Sequence, residues 1–378
     1  MSSFAFAATN PCHVWEMALA LAQSNRTVTF YSGYPEWRLG ESCEGLSIRT
    51  RSSRTLVTYG FLRVPERFRP SATRLFRWQD QGFDRAVAGI LEPGNGVFHG
   101  LPGQCLVSFE RAKELGMITI LNHASGPAEE QQRLVAPEYV RAGLPGGEEG
   151  LMGEQFRERL KKETELADYH CAASSVVADQ LVSAGVEVEK ILKVPYGADP
   201  KKFKKREKLP ERFRVLFAGI LSLRKGIHYL LKAVEDGSED WEVNLYGPSS
   251  QETENDFSSY QGTVPIRRRG AVSQEHLAEE MRKASVLVLP SAEEAFGLVV
   301  VQALQCGVPC IVSDRVGAKD LIRHRENGSV VPFGDSAALR AELDWWSQNP
   351  MIVAGEYSWD EPAQIFIREH RRVLPEAF

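Results

Sequence analysis

The feature that most constrains this chain is an alternation of short apolar strands and helical segments that runs through it twice. Residues 3–8 (SFAFAA) and 27–31 (TVTFY) read as strands around a helical segment from His13 to Gln23. Residues 96–99 and 117–121 read as strands around a helix at 108–115. Residues 155–173 read as a helix running into a short strand, with a further strand at 190–194. The pattern restarts after Pro210 with FRVLFA at 213–218; Ile227, Leu230, Leu231 and Val234 then recur at helical spacing. Strands follow at 242–246, 265–268, 286–289 and 310–312. Parallel strands need long crossovers, so this alternation predicts an α/β chain with two successive parallel-sheet halves. Their join falls at 195–210, a polar stretch bracketed by prolines, whose basic run KKFKKREK reads as a solvated linker.

Composition narrows the function. The chain has 378 residues, enough for two domains, and is 43% hydrophobic, enough to bury cores of ordinary size. A net charge of −5 excludes a general nucleic-acid binder, which would carry a strongly basic face. The longest apolar run, Met17 to Ala22, is far below the roughly 20 residues of a membrane span. The N-terminus has no basic segment followed by an apolar one, so a secretory leader is not expected. Six scattered cysteines without a CxxC pair read as reduced thiols of a cytoplasmic protein.

Two segments carry the chemistry. Gly219-Ile-Leu-Ser-Leu-Arg224-Lys225-Gly226 lies between a buried strand and an amphipathic helix, where free N–H groups and the helix dipole favour an anion. An Arg fork beside a Lys point charge suits a diphosphate, although by itself the pair reads equally as two surface cations. Pro290-Ser-Ala-Glu293-Glu294-Ala-Phe296-Gly297-Leu298 again follows a strand and opens a helix. A carboxylate there can accept from neighbouring sugar hydroxyls, or can simply complement the helix dipole.

Together these segments resemble the retaining glycosyltransferases of family 4, which have the GT-B fold. The match runs over Gly219, Leu221, Arg224, Lys225 and Gly226, then over Pro290, Ser291, Glu294, Phe296, Gly297 and Leu298. It continues through Ala303–Ser313, and Val194-Pro-Tyr-Gly197-Ala-Asp199 is similar to the family's interdomain turn. Eight residues after Glu294 stands Gln302, where the family usually has a second Glu for the ribose hydroxyls. A neutral amide can still donate and accept. The family's Gly-Gly loop after the first strand is replaced by Asn10-Pro11-Cys12-His13. Cys12–Ala18 and Phe30–Pro35 resemble a bacterial branch of these enzymes.

The resemblance implies two Rossmann-like domains with parallel sheets facing a central cleft. Residues 1–195 would bind the acceptor, residues 196–358 the nucleotide-sugar donor, and 359–378 would form a helix crossing back to the first domain. It implies retaining transfer of a hexose from a nucleotide-diphosphate sugar to a saccharide or lipid-linked acceptor, in surface polysaccharide or glycoconjugate synthesis. In the catalytic set are Arg224 and Lys225 on the departing diphosphate, Glu294 on the donor sugar, and His123, at the end of the strand 117–121. His99, at another strand end, competes with His123. Gly219, Phe296, Gly297, Leu298 and Gln302 would complete the donor site.

No cofactor and no metal are expected. No two Asp are separated by a single residue, and the nearest imitation, Glu252-Thr-Glu254-Asn-Asp256, reads as a solvated loop. A non-catalytic nucleotide-sugar binding or scaffold protein is the alternative, motivated by Gln302 and the missing Gly-Gly loop. A nicotinamide dehydrogenase is disfavoured because Gly94-Asn-Gly96-Val-Phe-His-Gly100 lacks the GxGxxG spacing.

One feature stands apart. Arg49, Arg51, Arg54, Arg63, Arg67, Arg69, Arg74 and Arg77 are opposed only by Glu66, with Phe61, Phe68, Phe76 and Trp78 interleaved. Residues 49–78 thus suit peripheral contact with an anionic membrane, an acidic sugar, or no partner beyond solvent.

Overall fold

The computed structural model describes residues 3–10, 12–39, 43–93, 96–144 and 153–373. Pro11, Gly94 and Asn95 of the loops named above, and Leu374 at the C-terminus, lie outside these residues. The first half contains β1 (Ser3–Ala8), α1 (His13–Gln23), β2 (Thr27–Ser32), β3 (Leu46–Thr50), α2 (Ser53–Leu62) and α3 (Ala72–Ala88). It continues with β4 (Val97–Gly100), α4 (Leu106–Glu114), β5 (Ile118–His123), α5 (Ala128–Arg141), α6 (Glu154–Leu166), β6 (Tyr169–Ala172), α7 (Ser175–Ser183) and β7 (Ile191–Lys193). Among the described residues these strands form one parallel sheet in the order β3-β2-β1-β4-β5-β6-β7.

The second half begins with β8 (Arg214–Ala218), α8 (Ile227–Val234), β9 (Glu242–Tyr246), α9 (Glu254–Ser259), β10 (Ile266–Gly270) and α10 (Gln274–Arg282). It ends with β11 (Val286–Leu289), α11 (Leu298–Gln305), β12 (Cys310–Ser313), β13 (Gly328–Val331), α12 (Ser336–Gln348) and α13 (Asp360–Val373). Its parallel sheet has the order β10-β9-β8-β11-β12-β13. Strands β11 and β12 are buried at every position, as expected of parallel strands covered by helices on both faces. The outer strand β10 instead exposes Arg267, Arg268 and Arg269, charges that oppose edge-to-edge pairing. No helix among the described residues is long and apolar enough to cross a membrane.

The linker is less solvated than its composition implies. Phe203 and Arg206 are buried. Arg206 donates Nη1 to the Ala284 carbonyl and Nη2 to that of Met351, both at 2.5 Å, and its own N–H bonds the Cys306 carbonyl. Two carbonyls on its terminal nitrogens offset part of the cost of burying this guanidinium, whose Nε has no partner, and burial pushes its pKa down to about 10. At Gly197 the two connecting segments cross, and a Cβ there would lie 2.5–2.7 Å from the backbone of Ser358 and Trp359. Beyond the crossing, α13 returns to the first sheet and buries Ala363, Phe366 and Ile367 in its core. Burying Phe366 alone contributes roughly 1.5–3 kcal/mol.

A histidine pair secures that return. His370 on α13 meets His99 at the end of β4 with 3.1 Å between their Nε2 atoms, and Asn122 Nδ2 meets His99 Nδ1 at 2.9 Å. Phe6 stacks on His99 at 4.5 Å. Burial pushes the pKa of both imidazoles well down, that of His370 to about 3. Below about pH 6.5 the unfolded chain takes up these protons while the native state does not. Stability therefore falls with falling pH by up to about 1.4 kcal/mol per unit for each histidine. The contribution of these two histidines to the unfolding free energy should be constant above about pH 7 and drop between about 6.5 and 4. A His370→Leu variant, titrated by urea unfolding, should show a shallower acid limb; an unchanged limb would contradict this role.

Candidate active site between the two sheets

The carboxyl ends of the strands in both sheets turn toward a shared cleft. Ser174, following β6, donates Oγ to the Ala295 carbonyl at 2.6 Å, and Ser175 donates N and Oγ to the Asp320 carboxylate at 2.7 and 2.6 Å. Tyr196 of the linker stacks on His13 at 4.3 Å and packs on Phe296 at 4.9 Å. Leu298 packs against the cores of both halves.

Strands β8 and β11 are neighbours, so the loops that leave them come together. The Ala292 N–H bonds the Arg224 carbonyl at 2.8 Å. Gly226 starts α8 in the left-handed region (φ 67°), and a Cβ there would run into the Pro290 carbonyl oxygen. Glycine is therefore required where the two loops touch. Gly297 also has a left-handed backbone (φ 92°) and turns the chain into α11. As at any helix start, the first-turn N–H groups have no intrahelical acceptor, leaving donors at Phe296–Leu298 for an anion or a hydroxyl.

Arg224, Lys225 and Glu294 all meet here. Arg224 Nη1 lies 2.9 Å from Glu293 Oε2, and Lys225 Nζ pairs with Glu294 Oε2. Glu293 is buried, and its Oε1 has no protein partner. Burial and the adjacent Arg224 push the Lys225 pKa down to about 7, against the opposing charge of Glu293. Gly219 caps β8, donating its N–H to Tyr246 at 2.9 Å, and Gln302 is buried on α11. The sequence-derived donor set is thus gathered on two touching loops and one helix.

His123 is placed differently. It is buried at the end of β5 with Nε2 3.1 Å from His170 Nδ1, and it lines a cavity of about 500 Å³ with Ser125, Phe156 and Leu160. Burial, reinforced by His170, pushes its pKa down to about 3. At neutral pH it is an uncharged hydrogen-bonding group, not a general acid. Its partner is a neighbouring strand residue, and its rival His99 joins α13 to the sheet.

Three residues escaped the sequence reasoning. Glu252 accepts the Leu223 N–H at 2.9 Å and the Tyr139 hydroxyl at 2.8 Å, so it holds the cationic loop to α5 of the first half. The segment 252–256 is thus not a solvated loop at Glu252, and Glu254 pairs with Arg268 at 2.8 Å. Glu138, one residue before Tyr139, meets His228 Nε2 and accepts from the Tyr229 hydroxyl, each at 3.1 Å. His13, at the head of α1, is buried with Nε2 unpartnered, and burial pushes its pKa down to about 3. The available signal was position: His13 stands in the loop where the family has Gly-Gly.

Among the described residues no three His, Cys, Asp or Glu side chains gather so as to hold a metal ion.

Comparison with known proteins bears on the family and the fold. Residues 198–364 match the family model of the group 1 glycosyl transferases. A glycosyltransferase of Methanocaldococcus jannaschii is 30% identical over 165 residues, 40% of this chain and 42% of that protein. The amylovoran biosynthesis glycosyltransferase AmsK of Erwinia amylovora is 26% identical over 193 residues, 46% of this chain and 47% of AmsK. These matches span less than half the length of either relative. HepE of Anabaena, solved with UDP and glucose, superposes over 97% of this chain and 99% of its own with a TM-score of 0.65 at 14% identity. The chain therefore has the GT-B fold, and its residues 198–364 are similar to the group 1 glycosyl transferases.

Proposed function

We propose that this protein transfers a hexose from a nucleotide-diphosphate sugar to a saccharide or lipid-linked acceptor, with retention at the anomeric carbon and without a metal ion. The observation that carries the reading is the meeting of two cations and two carboxylates on touching loops at the cleft. A diphosphate arriving there takes up the charge of Arg224 and Lys225. Glu294, released from Lys225, then accepts hydrogen bonds from the sugar. The same cations stabilise the negative charge that grows on the diphosphate as the glycosidic bond breaks. N–H donors at Phe296–Leu298 add to the anion's binding, and Gln302 offers a neutral amide to the nucleoside. His123, uncharged, serves as a hydrogen-bonding group on the acceptor side.

Support from similar proteins is of two kinds. HepE was solved with UDP and glucose, and AmsK is named for amylovoran biosynthesis, which fits a nucleotide-sugar donor and a polysaccharide product. A non-catalytic scaffold would bind the donor without turning it over.

Three outcomes are expected. Arg224→Ala and Lys225→Ala should each cost roughly 1.5–3 kcal/mol of transition-state stabilisation, about 10- to 150-fold in kcat/KM. Near-wild-type transfer in both would overturn the assignment. Transfer, assayed with a panel of nucleotide sugars, should survive excess EDTA; loss restored by Mg²⁺ would place a metal on the leaving group. Glu252→Ala should raise the donor KM several-fold with the fold intact by circular dichroism, because Leu223 loses the acceptor that fixes the loop, and Glu252→Gln should recover most of the loss.

A further inference from the structure

The segment 49–78 is not an irregular charged stretch. It forms the outer strand β3, helix α2 and the start of α3, and its surface is of one kind. On α2 the exposed Leu56, Val57 and Phe61 recur at helical spacing, with Val64 just beyond. Phe68 is 68% exposed, and Trp37, in the turn after β2, is 74% exposed. Among the described residues the large exposed Trp and Phe side chains, Trp37, Phe61, Phe68 and Trp78, all lie in this region. Other exposed large apolar side chains are aliphatic and scattered, as on any soluble surface.

The charges match the apolar groups in place. None of the eight arginines between 49 and 77 forms an ion pair with a carboxylate among the described residues, whereas ion pairs are frequent elsewhere in the chain. Several lie on aromatic rings instead: Arg54 over Trp78 at 4.5 Å and Arg67 over Phe68 at 4.7 Å. A groove of about 410 Å³ runs between the 34–38 turn and α2, lined by Tyr34, Arg38, Leu56, Tyr59 and Arg63. It lies between α2 and the turn that carries Trp37, whose neighbour Arg38 lines it.

We propose that this face docks the protein on an anionic lipid bilayer. Exposed aromatics beside guanidiniums that have no carboxylate partner among the described residues match the chemistry of that interface, where rings enter the headgroup region and arginines meet lipid phosphates. A second copy of the chain is a poor occupant, because a two-fold contact would set the arginine cluster against itself. The proposal stands on the surface alone and does not depend on the transfer reaction. It has one consequence for that reaction: α2 and the 34–38 turn follow the carboxyl ends of β3 and β2, which face the cleft. A lipid-linked acceptor held in the docked bilayer would therefore meet the first domain at the mouth of the site.

The test is co-sedimentation of the full chain with phosphatidylcholine vesicles, with and without phosphatidylglycerol and in the absence of any nucleotide sugar. The protein should bind the mixed vesicles, should bind the neutral ones weakly, and should lose affinity with salt. Tryptophan emission should shift to the blue on binding, and Trp37→Phe should remove most of the shift. Arg63→Gln and Arg67→Gln should each lower partitioning about fivefold, and Phe61→Ser with Phe68→Ser should lower it further. All four positions are exposed, so the fold should be unaffected by circular dichroism. Equal binding to both vesicle types, or none, would overturn the proposal. So would saturable binding of a soluble acidic polysaccharide with no vesicle binding, which would assign the patch to an acidic polymer.

Discussion

The pairing of Arg224 and Lys225 with Glu293 and Glu294 is the interaction on which this cleft depends. Glu293 is buried, and a buried carboxylate is tolerated only beside a compensating charge or donor. Arg224 supplies it from the neighbouring strand's loop. Because β8 and β11 are adjacent, the two loops can close on each other only if the backbone fits, and Gly226 against Pro290 is where it does. The result is a site that neutralises itself when empty. Its cations are held in place by carboxylates, which on the proposed function a diphosphate and a sugar would displace.

The first half completes this site from across the cleft. Helix α5 reaches it through Tyr139 to Glu252 and through Glu138 to His228 and Tyr229. Ser174 and Ser175 hold the Ala295 and Asp320 segments, and His13 reaches Phe296 through Tyr196. The geometry of the cationic loop is thus shared between two domains that are joined at Gly197 and clasped by α13.

The C-terminal half was read well from sequence because its signals are backbone signals. Glycines at 219, 226 and 297 sit where the chain must turn or touch, and continuous apolar runs mark strands buried on both faces. Strand β3 escaped because Leu46 and Ile48 alternate with polar residues in a half-exposed edge strand, and β13 because Gly328-Ser-Val-Val follows a polar turn. Helices α3 and α5 escaped because their apolar stripes are diluted by charge. Arg206 read as solvated because composition does not show the three backbone partners that bury it. The roles of Glu252, His13 and His99 depend on partners 23 to 271 residues away, which one sequence does not pair.

The central claim is that the diphosphate of a nucleotide sugar takes Lys225 from Glu294. In the free protein, burial and Arg224 lower the Lys225 pKa to about 7, so part of the population is uncharged at neutral pH. A bound diphosphate favours the charged form, and the intact nucleotide sugar has no phosphate proton to give up in this range. Calorimetric titration at pH 7 in two buffers of different ionisation enthalpy counts the protons exchanged on binding. Uptake of about half a proton by the wild-type protein is predicted, with none in a Lys225→Arg variant that still binds. No uptake in the wild type, or the same uptake in the variant, would show that Lys225 does not meet the diphosphate.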